Sequence, residues 1–444
     1  VTLKFGTDGI RGPASELTDP YVFALGRAAA RVLGGQRFLI ARDTRESGPR
    51  LEAALAAGLR AERVEPEFLG VAPTPALAWV AAAHDLPAAM ISASHNPFDD
   101  NGIKFFAAGG TKLADAVETL LELELDSVLT SSDALLAPGA IRPGGLVRAD
   151  DVERYGLGLV ASLDGRDLKG MHVVIDCANG AQSSLAPRVL ERLGATVTVL
   201  HDQPDGRNIN AACGSTHPDD LAATVVASGA MVGLAFDGDA DRVLAVDETG
   251  AVVDGDHLIA MCAIDRHARG ALAHDTVVVT VMTNLGFRLA MAERGINVVE
   301  TPVGDRYVLE AMAAGGFNLG GEQSGHVVFG DLATTGDGLL TGLAVLDLMQ
   351  RTGLPLSRLA ADAMTRLPQV LVNVAVPARD PRILEAVAPQ VAEAEARLGA
   401  DGRVLVRASG TEPLIRVMVE ATHAATAAEV AEALAAAVTE VADA

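Results

Sequence analysis

Short apolar runs rich in β-branched residues recur along the chain: RFLIA (37–41), AAMIS (88–92), HVVIDC (172–177), TVTVL (196–200), VGLAF (232–236) and TVVVTV (276–281). Runs of this length, bounded by polar or glycine-containing stretches, predict buried strands. Between them lie Ala/Leu-rich segments with apolar positions at helical spacing, such as PRLEAALAAGLRAE (49–62) and PRVLERLG (187–194). Strands alternating with helices indicate layered α/β domains with largely parallel sheets. After TRLPQ (365–369) the pattern changes. VLVNVAV, RVLVRASG and IRVMVEA read as strands of a smaller α+β unit, and TAAEVAEALAAAVTEVADA as an amphipathic Ala-rich helix. Two earlier seams are PGAIRPGG (138–145) and DETGAVVDGD (247–256).

A chain of 444 residues, 49% apolar and 21% charged, has ample material for two to four folded domains. Lys plus Arg number 35 against 58 Asp plus Glu, a formal net charge of −23. That balance argues against nucleic acid or an anionic membrane as the main partner, while local basic clusters can still take anionic small molecules. Cys177, Cys213 and Cys262 are sparse, odd in number and far apart, which fits a reducing cytosol and no disulfide framework. No apolar run reaches membrane-spanning length, and VTLKFGTDGIRG lacks a secretory h-region, so a cytoplasmic location is expected. Lysine is scarce: only Lys4, Lys104, Lys112 and Lys169 occur, and each is worth inspecting for chemistry.

The stretch AFDGDADRVLAV (235–246) places Asp237, Asp239 and Asp241 between two apolar runs. On an extended backbone these alternate positions point the same way, with Gly238 and Ala240 keeping the other face small. Two like charges about 4 Å apart at an effective dielectric near 20 repel by roughly 4 kcal/mol, so a divalent cation is expected among three. All-oxygen ligation suits Mg²⁺. Three other readings stand beside this one. D-x-D-x-D with Glu248 twelfth imitates a calcium loop, but Arg242 stands where its turn wants glycine. An aspartate-nucleophile phosphatase would share D-x-D, but not a third acid at 241. A solvated acidic loop would not need apolar strands on both sides.

The run ISASHNPFDDNGIKFF (91–106) leaves a strand through small residues, a histidine and an Asn-Pro turn. A loop at the end of a strand in an α/β sheet is where ligands bind, and it can expose the hydroxyl of Ser94 beside His95, with Lys104 ten residues on. The alternative is a turn in which Ser94 or Asn96 only caps backbone groups. Spacing alone leaves both open.

SASHNP with the following NGIK, DGDADR, GGEQSGH (320–326) and RASGTEPLIRV (407–417) resemble, in order, the phosphoserine, metal, sugar and phosphate loops of the α-D-phosphohexomutase superfamily. KFGTDGIRG at the start and TPVGDRYV (301–308) are similar to its bacterial phosphoglucosamine branch. The matching stretches span Lys4 to Val417.

The resemblance implies three consecutive layered α/β/α domains with mixed sheets, a smaller C-terminal α+β domain, and an active site in a central cleft. The expected domains are 1–150 with the phosphoserine, 151–252 with the metal loop, 253–366 with the sugar loop, and 367–444 with the phosphate loop. It implies that Ser94 is phosphorylated and joins Asp237, Asp239 and Asp241 in holding one Mg²⁺, with Arg11 and Arg242 as cationic neighbours of the phosphoryl group. Lys104 and His95 are candidates for proton transfer, and His326 a third from the sugar loop. Glu322, Ser324 and His326 would face the sugar, while Arg407, Ser409, Gly410, Thr411 and Arg416 would grip the phosphate that is not reacting. The implied reaction interconverts the 6- and 1-phosphates of glucosamine through a 1,6-bisphosphate, feeding UDP-N-acetylglucosamine and cell-wall synthesis. That bisphosphate, or a related one, would also act as primer. Glucose or mannose phosphates are the alternative substrates. The partner is a small hexosamine phosphate, with neither nucleic acid nor membrane, and the enzyme a monomer or homodimer.

Overall fold

Three sheets follow one another along the chain, each with a parallel core and an antiparallel edge. In the first, the strands Arg37–Arg42, Glu65–Val71, Ala88–Ile91 and the short Leu146–Val147 run parallel, and Asp100–Phe106, Gly9–Pro13 and Phe5–Gly6 add antiparallel. The second sets His172–Asp176 between Thr196–Leu200 and Val232–Phe236 in parallel, then turns back through Val243–Asp247 and Val252–Val253. In the third, Thr276–Thr280 lies parallel to Asn297–Thr301 and Gly320–Gly321, with Val327–Val328 antiparallel. The central strands are buried on both faces, which is why they read as unbroken apolar runs rather than alternating ones.

The computed structural model describes residues 5–6, 9–130, 145–377, 381–408 and 414–443. Contacts divide the chain into two units. The first, Val1–Met282 with Ile296–Asp362, contains all three mixed sheets. Its densest helix pair is Asp19–Leu33 against Gly48–Ala61, both Ala-rich. They cross at Gly26 and Gly58, where a Cβ would stand 2.3 Å from Leu55 O and 2.1 Å from Phe23 O, so only glycine permits the approach.

The second unit joins Ala363–Ala444 to Thr283–Gly295. Its sheet is antiparallel, in the order Gln369–Ala375, Leu414–Ala421, Gly402–Ala408, and the helices Pro381–Leu398 and Ala424–Asp443 cover it around Val387, Val404, Val417 and Leu434. The periodicity after TRLPQ thus describes a real α+β unit, but sequence reading does not anticipate that Leu285–Glu293, the helix after Thr276–Thr280, belongs to it. The physical reason is the buried Glu420 carboxylate, which accepts from Asn284 Nδ2 at 3.1 Å and Leu285 N at 3.0 Å. Most of the seam at 138–145 lies outside the described residues. Among the described residues no helix is long and apolar enough to cross a membrane.

Candidate active site

The strand Ala88–Ile91 delivers the chain into a tight turn in which Ser94 takes φ 52°, the left-handed region that a non-glycine residue enters only when its surroundings hold it there. Those surroundings are explicit. Ser94 N donates to Ser92 Oγ at 2.9 Å, and Ser92 Oγ donates to Asp43 at 2.7 Å. Arg45 is fully buried and spreads its guanidinium under the loop. It pairs with Asp43 at 2.8 Å and donates to the carbonyls of Ser94 (3.0 Å), Asn96 (2.8 Å), Asp100 (3.0 Å) and Pro97. Asn210 Nδ2 reaches two of the same carbonyls, Ser94 at 2.8 Å and Asn96 at 2.9 Å.

This buried fork is a support that sequence reading missed; its only trace is an arginine two residues after an aspartate at a strand end. Arg45→Met would leave Asp43 without its counter-charge and take one donor from each of four carbonyls. It should lower stability by about 3–5 kcal/mol, the usual cost of breaking a buried ion pair from one side. Arg45→Lys keeps the charge without the planar fork and should fall between. Urea unfolding checks this, and an unchanged midpoint in Arg45→Met would remove the cradle.

Ser94 Oγ donates 2.6 Å to Asp237 Oδ2. Asp237, Asp239 and Asp241 are all but inaccessible, and one carboxylate oxygen from each lies within 4.8 Å of the others. They do not converge by alternation along an extended strand, as the sequence suggested. Residues 237–242 form the turn between the antiparallel strands Val232–Phe236 and Val243–Asp247, and Ala240 at φ 59° reverses the chain so that all three acids face inward.

Several donors already meet these acids. Thr74 Oγ1 reaches Asp239 Oδ2 at 2.7 Å, and Lys104 Nζ lies 2.9 Å from the same oxygen and 3.4 Å from Asp241 Oδ2. Thr74 is a second residue that sequence reading missed. Asp239 Oδ1 and Asp241 Oδ1 nevertheless take no hydrogen bond, and the cations nearest the latter, His326 Nδ1 and Arg242 Nε, stand off at 3.7 and 3.8 Å. Two orphaned carboxylate oxygens in a dry cluster fit a hard divalent cation, which takes oxygen ligands and tolerates few others.

The electrostatics agree. Burial, then the charges of Asp241 and Asp239, push Asp237 up to about 8. Burial works against the Asp241 carboxylate too, but Lys104, His326 and Arg242 outweigh it and hold that group well below the usual range.

Around this cluster His95 Nδ1 lies 3.2 Å from Arg242 Nη1 and 3.4 Å from Ser94 Oγ. Burial, then the charges of Arg242 and Arg11, push its pKa down to about 4, so the ring is neutral and its lone pair receives the arginine. Arg11 sits half-buried on Gly9–Pro13, with Gly102 as its strand partner.

The sugar-loop residues form a turn between Gly320–Gly321 and Val327–Val328 that rests on the end of the metal loop: Val243 N donates to Gly325 O at 3.1 Å. Gly325 has φ 90°, and a Cβ there would lie 2.1 Å from Val243 O, so a side chain would push the two loops apart. Glu322 accepts from Gly304 N at 3.1 Å, and Ser324 is exposed. His326 instead points inward and is 1% exposed. Gly336 N–H faces its Nε2 from 3.1 Å and Asp305 Oδ2 lies 3.3 Å from the same nitrogen, demands that need opposite protonation states. Burial disfavours the imidazolium, but Asp241 and Asp305 together outweigh it and raise the ring's pKa. Asp305 also binds Lys112, one of the four lysines. It is a third residue whose part only the structure reveals.

In the second unit Arg407 and Arg416 are register partners on adjacent antiparallel strands. Burial, and then the charge of Arg416, lower the pKa of Arg407. Like charges directly opposite one another are unfavourable without an anion between them. Ser409, Gly410 and Thr411 lie outside the described residues.

A cavity of about 740 Å³ in the first unit is lined by Trp79, Tyr155 and Phe329 and by none of the acids, bases or loop residues above. Its arginines, Arg166, Arg266, Arg269 and Arg351, are each paired with an aspartate.

Comparison with known proteins agrees with this geometry. The models of the phosphoglucomutase/phosphomannomutase family match in succession: α/β/α domain I over residues 2–130, domain II over 157–250, domain III over 254–367 and the C-terminal domain over 371–437. The phosphoglucosamine mutase of Frankia casuarinae is 54% identical, covering 98% of this chain and 97% of its own. That of Desulforudis audaxviator is 51% identical, covering 98% of each. The crystal structure of a phosphoglucomutase/phosphomannomutase family protein from Burkholderia thailandensis superposes with a TM-score of 0.78 at 24% identity, over 98% of this chain and 97% of its own. With its serine loop, acidic loop and four successive domains all accounted for, the chain belongs to the phosphoglucomutase/phosphomannomutase family, the α-D-phosphohexomutases.

Proposed function

We infer that the chain is an isomerase that interconverts glucosamine 6-phosphate and glucosamine 1-phosphate, the reaction its half-identical relatives are named for. The observation that carries the chemistry is Ser94 Oγ hydrogen-bonded at 2.6 Å to a buried acid of a three-carboxylate cluster. A serine in that position can pass on a phosphoryl group and recover it. The P–O bond to Ser94 Oγ breaks as a P–O bond to the free sugar hydroxyl forms, and the hydroxyl proton goes to a base. The resulting 1,6-bisphosphate turns round, and Ser94 Oγ takes the phosphoryl group from its other end. Occasional loss of the bisphosphate leaves Ser94 bare, so this intermediate or a related one serves as primer.

Asp237, Asp239 and Asp241 would hold Mg²⁺, which supplies charge withdrawal from the transferring group. Arg242 and Arg11 bring positive charge to the same group. Neutral His95 holds Arg242 in place and is a positioning residue. Lys104 is our proton carrier: its ammonium can supply the proton that the serine oxygen needs on release, and must be neutral to take one from the sugar hydroxyl. Glu322 and Ser324 face the sugar. His326, buried against Asp241 and Asp305, orients the acid rather than touching substrate. Arg407 and Arg416, with Ser409, Gly410 and Thr411, bind the phosphate that is not reacting, so binding energy from that end is available at the other.

The test is turnover of the 6-phosphates of glucosamine, glucose and mannose under one set of conditions. Glucosamine 6-phosphate should be preferred, and a glucose preference of roughly tenfold or more would make the chain a phosphoglucomutase instead. For the distal phosphate, Arg407→Ala should raise KM by roughly tenfold or more with kcat nearly unchanged. A collapse of kcat at constant KM would place Arg407 at the reacting end.

A further inference from the structure

A second group of donor atoms lies at the C-terminal ends of two neighbouring parallel strands. Asp176 ends His172–Asp176, His201 follows Thr196–Leu200, and Cys213 precedes the turn Gly214–Thr216. One ligand atom from each of the three lies within 4.8 Å of the others. Asp176 and Cys213 are completely buried, and His201 is partly buried.

His201 Nδ1 is 3.1 Å from Asp176 Oδ2, yet it is buried and makes no aligned hydrogen bond. A histidine that served only as ion-pair partner would point its N–H along that line. Here that nitrogen is left without a hydrogen bond, in a group whose ligand atoms lie within 4.8 Å of one another.

Each of the three donors is also steadied from outside. Asp176 accepts from Ala178 N and Gly214 N, both at 2.8 Å. Asn179 Nδ2 approaches Cys213 Sγ at 4.0 Å. The far nitrogen of His201, Nε2, looks towards Asp220 Oδ2 at 3.7 Å. A carboxylate behind the outer nitrogen of a histidine is the arrangement that orients metal-ligating imidazoles. A groove of about 480 Å³ lined by His201, Asp220 and Thr224 lies on the outer side of the imidazole.

We propose that Asp176, His201 and Cys213 form a second, buried metal site, for a borderline transition ion of the Zn²⁺ type. One oxygen, one nitrogen and one sulfur donor suit tetrahedral zinc and not Mg²⁺, so the two sites of this chain sort their ions by ligand chemistry. The segments it ties together are close to the catalytic loops. Asn210 N donates to Ala178 O at 2.9 Å, and the Asn210 side chain holds the serine loop. The site does not depend on which sugar is isomerised, so its test can fail or succeed whatever the substrate proves to be.

The experiment is titration of the chelator-treated full chain with Co²⁺, with excess Mg²⁺ present, followed by the sulfur-to-cobalt charge-transfer band in the near ultraviolet. The acidic cluster has no thiolate and cannot give that band. One Co²⁺ per chain should develop it and Zn²⁺ should displace it. Cys213→Ser and His201→Gln should each lose it, Cys262→Ser should keep it, and Asp220→Asn should weaken Co²⁺ binding by roughly tenfold or more. His201 is partly exposed, so His201→Gln carries the test if Cys213→Ser does not fold. Absence of the band in the parent chain, its survival in Cys213→Ser, or its loss in Cys262→Ser would overturn the site.

Discussion

Ser94→Ala should lower the turnover of glucosamine 6-phosphate by roughly 10³-fold or more, about 4 kcal/mol of transition-state stabilisation, with little change in fold. The argument rests on what replaces the lost oxygen. Ser94 is 1% exposed, so bulk water cannot stand in for it. Its backbone is held from outside by Ser92, Arg45 and Asn210, so the turn should survive without the hydroxyl. The stability cost should be that of one hydrogen bond to a carboxyl that is neutral in the metal-free protein, about 0.5–1.5 kcal/mol. A coupled assay for the 1-phosphate measures the loss, and intact-mass spectrometry should show a phosphate adduct in the parent that is absent from the variant. Near-normal turnover in Ser94→Ala would transfer the nucleophile's role to an acid such as Asp237.

Asp239→Asn should weaken the Mg²⁺ dependence of turnover by roughly 100-fold or more, close to 3 kcal/mol of ion binding. The substitution is nearly isosteric, and its carbonyl oxygen can still accept from Thr74 and Lys104, as Asp239 Oδ2 does. What changes is the orphaned Oδ1 side, where a neutral amide replaces one of three charges. The effect should therefore appear in the metal titration rather than in stability. An unchanged titration would take Asp239 out of the cage.

The acids add a pH signature. With Asp237 at about 8 in the metal-free protein, its carboxyl is protonated at neutral pH, and a metal that needs the carboxylate must displace that proton. Mg²⁺ binding should weaken as pH falls below about 8 and should release protons. Calorimetry in two buffers of different ionisation enthalpy detects the release, and identical apparent enthalpies would exclude it. The same raised pKa means that the metal-free fold loses stability as pH rises from the ordinary carboxylate range through about 8, because native Asp237 holds its proton longer than the unfolded chain does.

Much of the secondary structure was legible because it is locally encoded. TVTVL and VGLAF became Thr196–Leu200 and Val232–Phe236 with the boundaries read from the sequence, since short apolar runs of this length bounded by turn residues leave little choice. The acids of DGDADR were legible as a cluster, but they converge through a turn and not through strand alternation. A left-handed Ala240 cannot be read from a sequence that offers Gly238 as the more natural turn residue. The parts played by Arg45, Thr74 and Asp305 were hidden for another reason: Ser94, Asp239 and Lys112, which they reach, lie 49, 165 and 193 residues away along the chain. No local periodicity encodes a contact of that range.

By itself the sequence determined which segments are strands and helices, that acid, hydroxyl and glycine-rich loops lie between them, and which family the chain resembles. Those properties follow from side-chain chemistry within windows of a few residues. Only the tertiary structure decided that the serine loop, the acidic loop and Lys104 meet in one buried cluster, that His326 turns inward behind Asp241, and that Leu285–Glu293 joins the C-terminal unit. Sheet order and the burial of a few charged groups bring distant segments together, and desolvation makes each of those charges seek a partner wherever along the chain one is to be found.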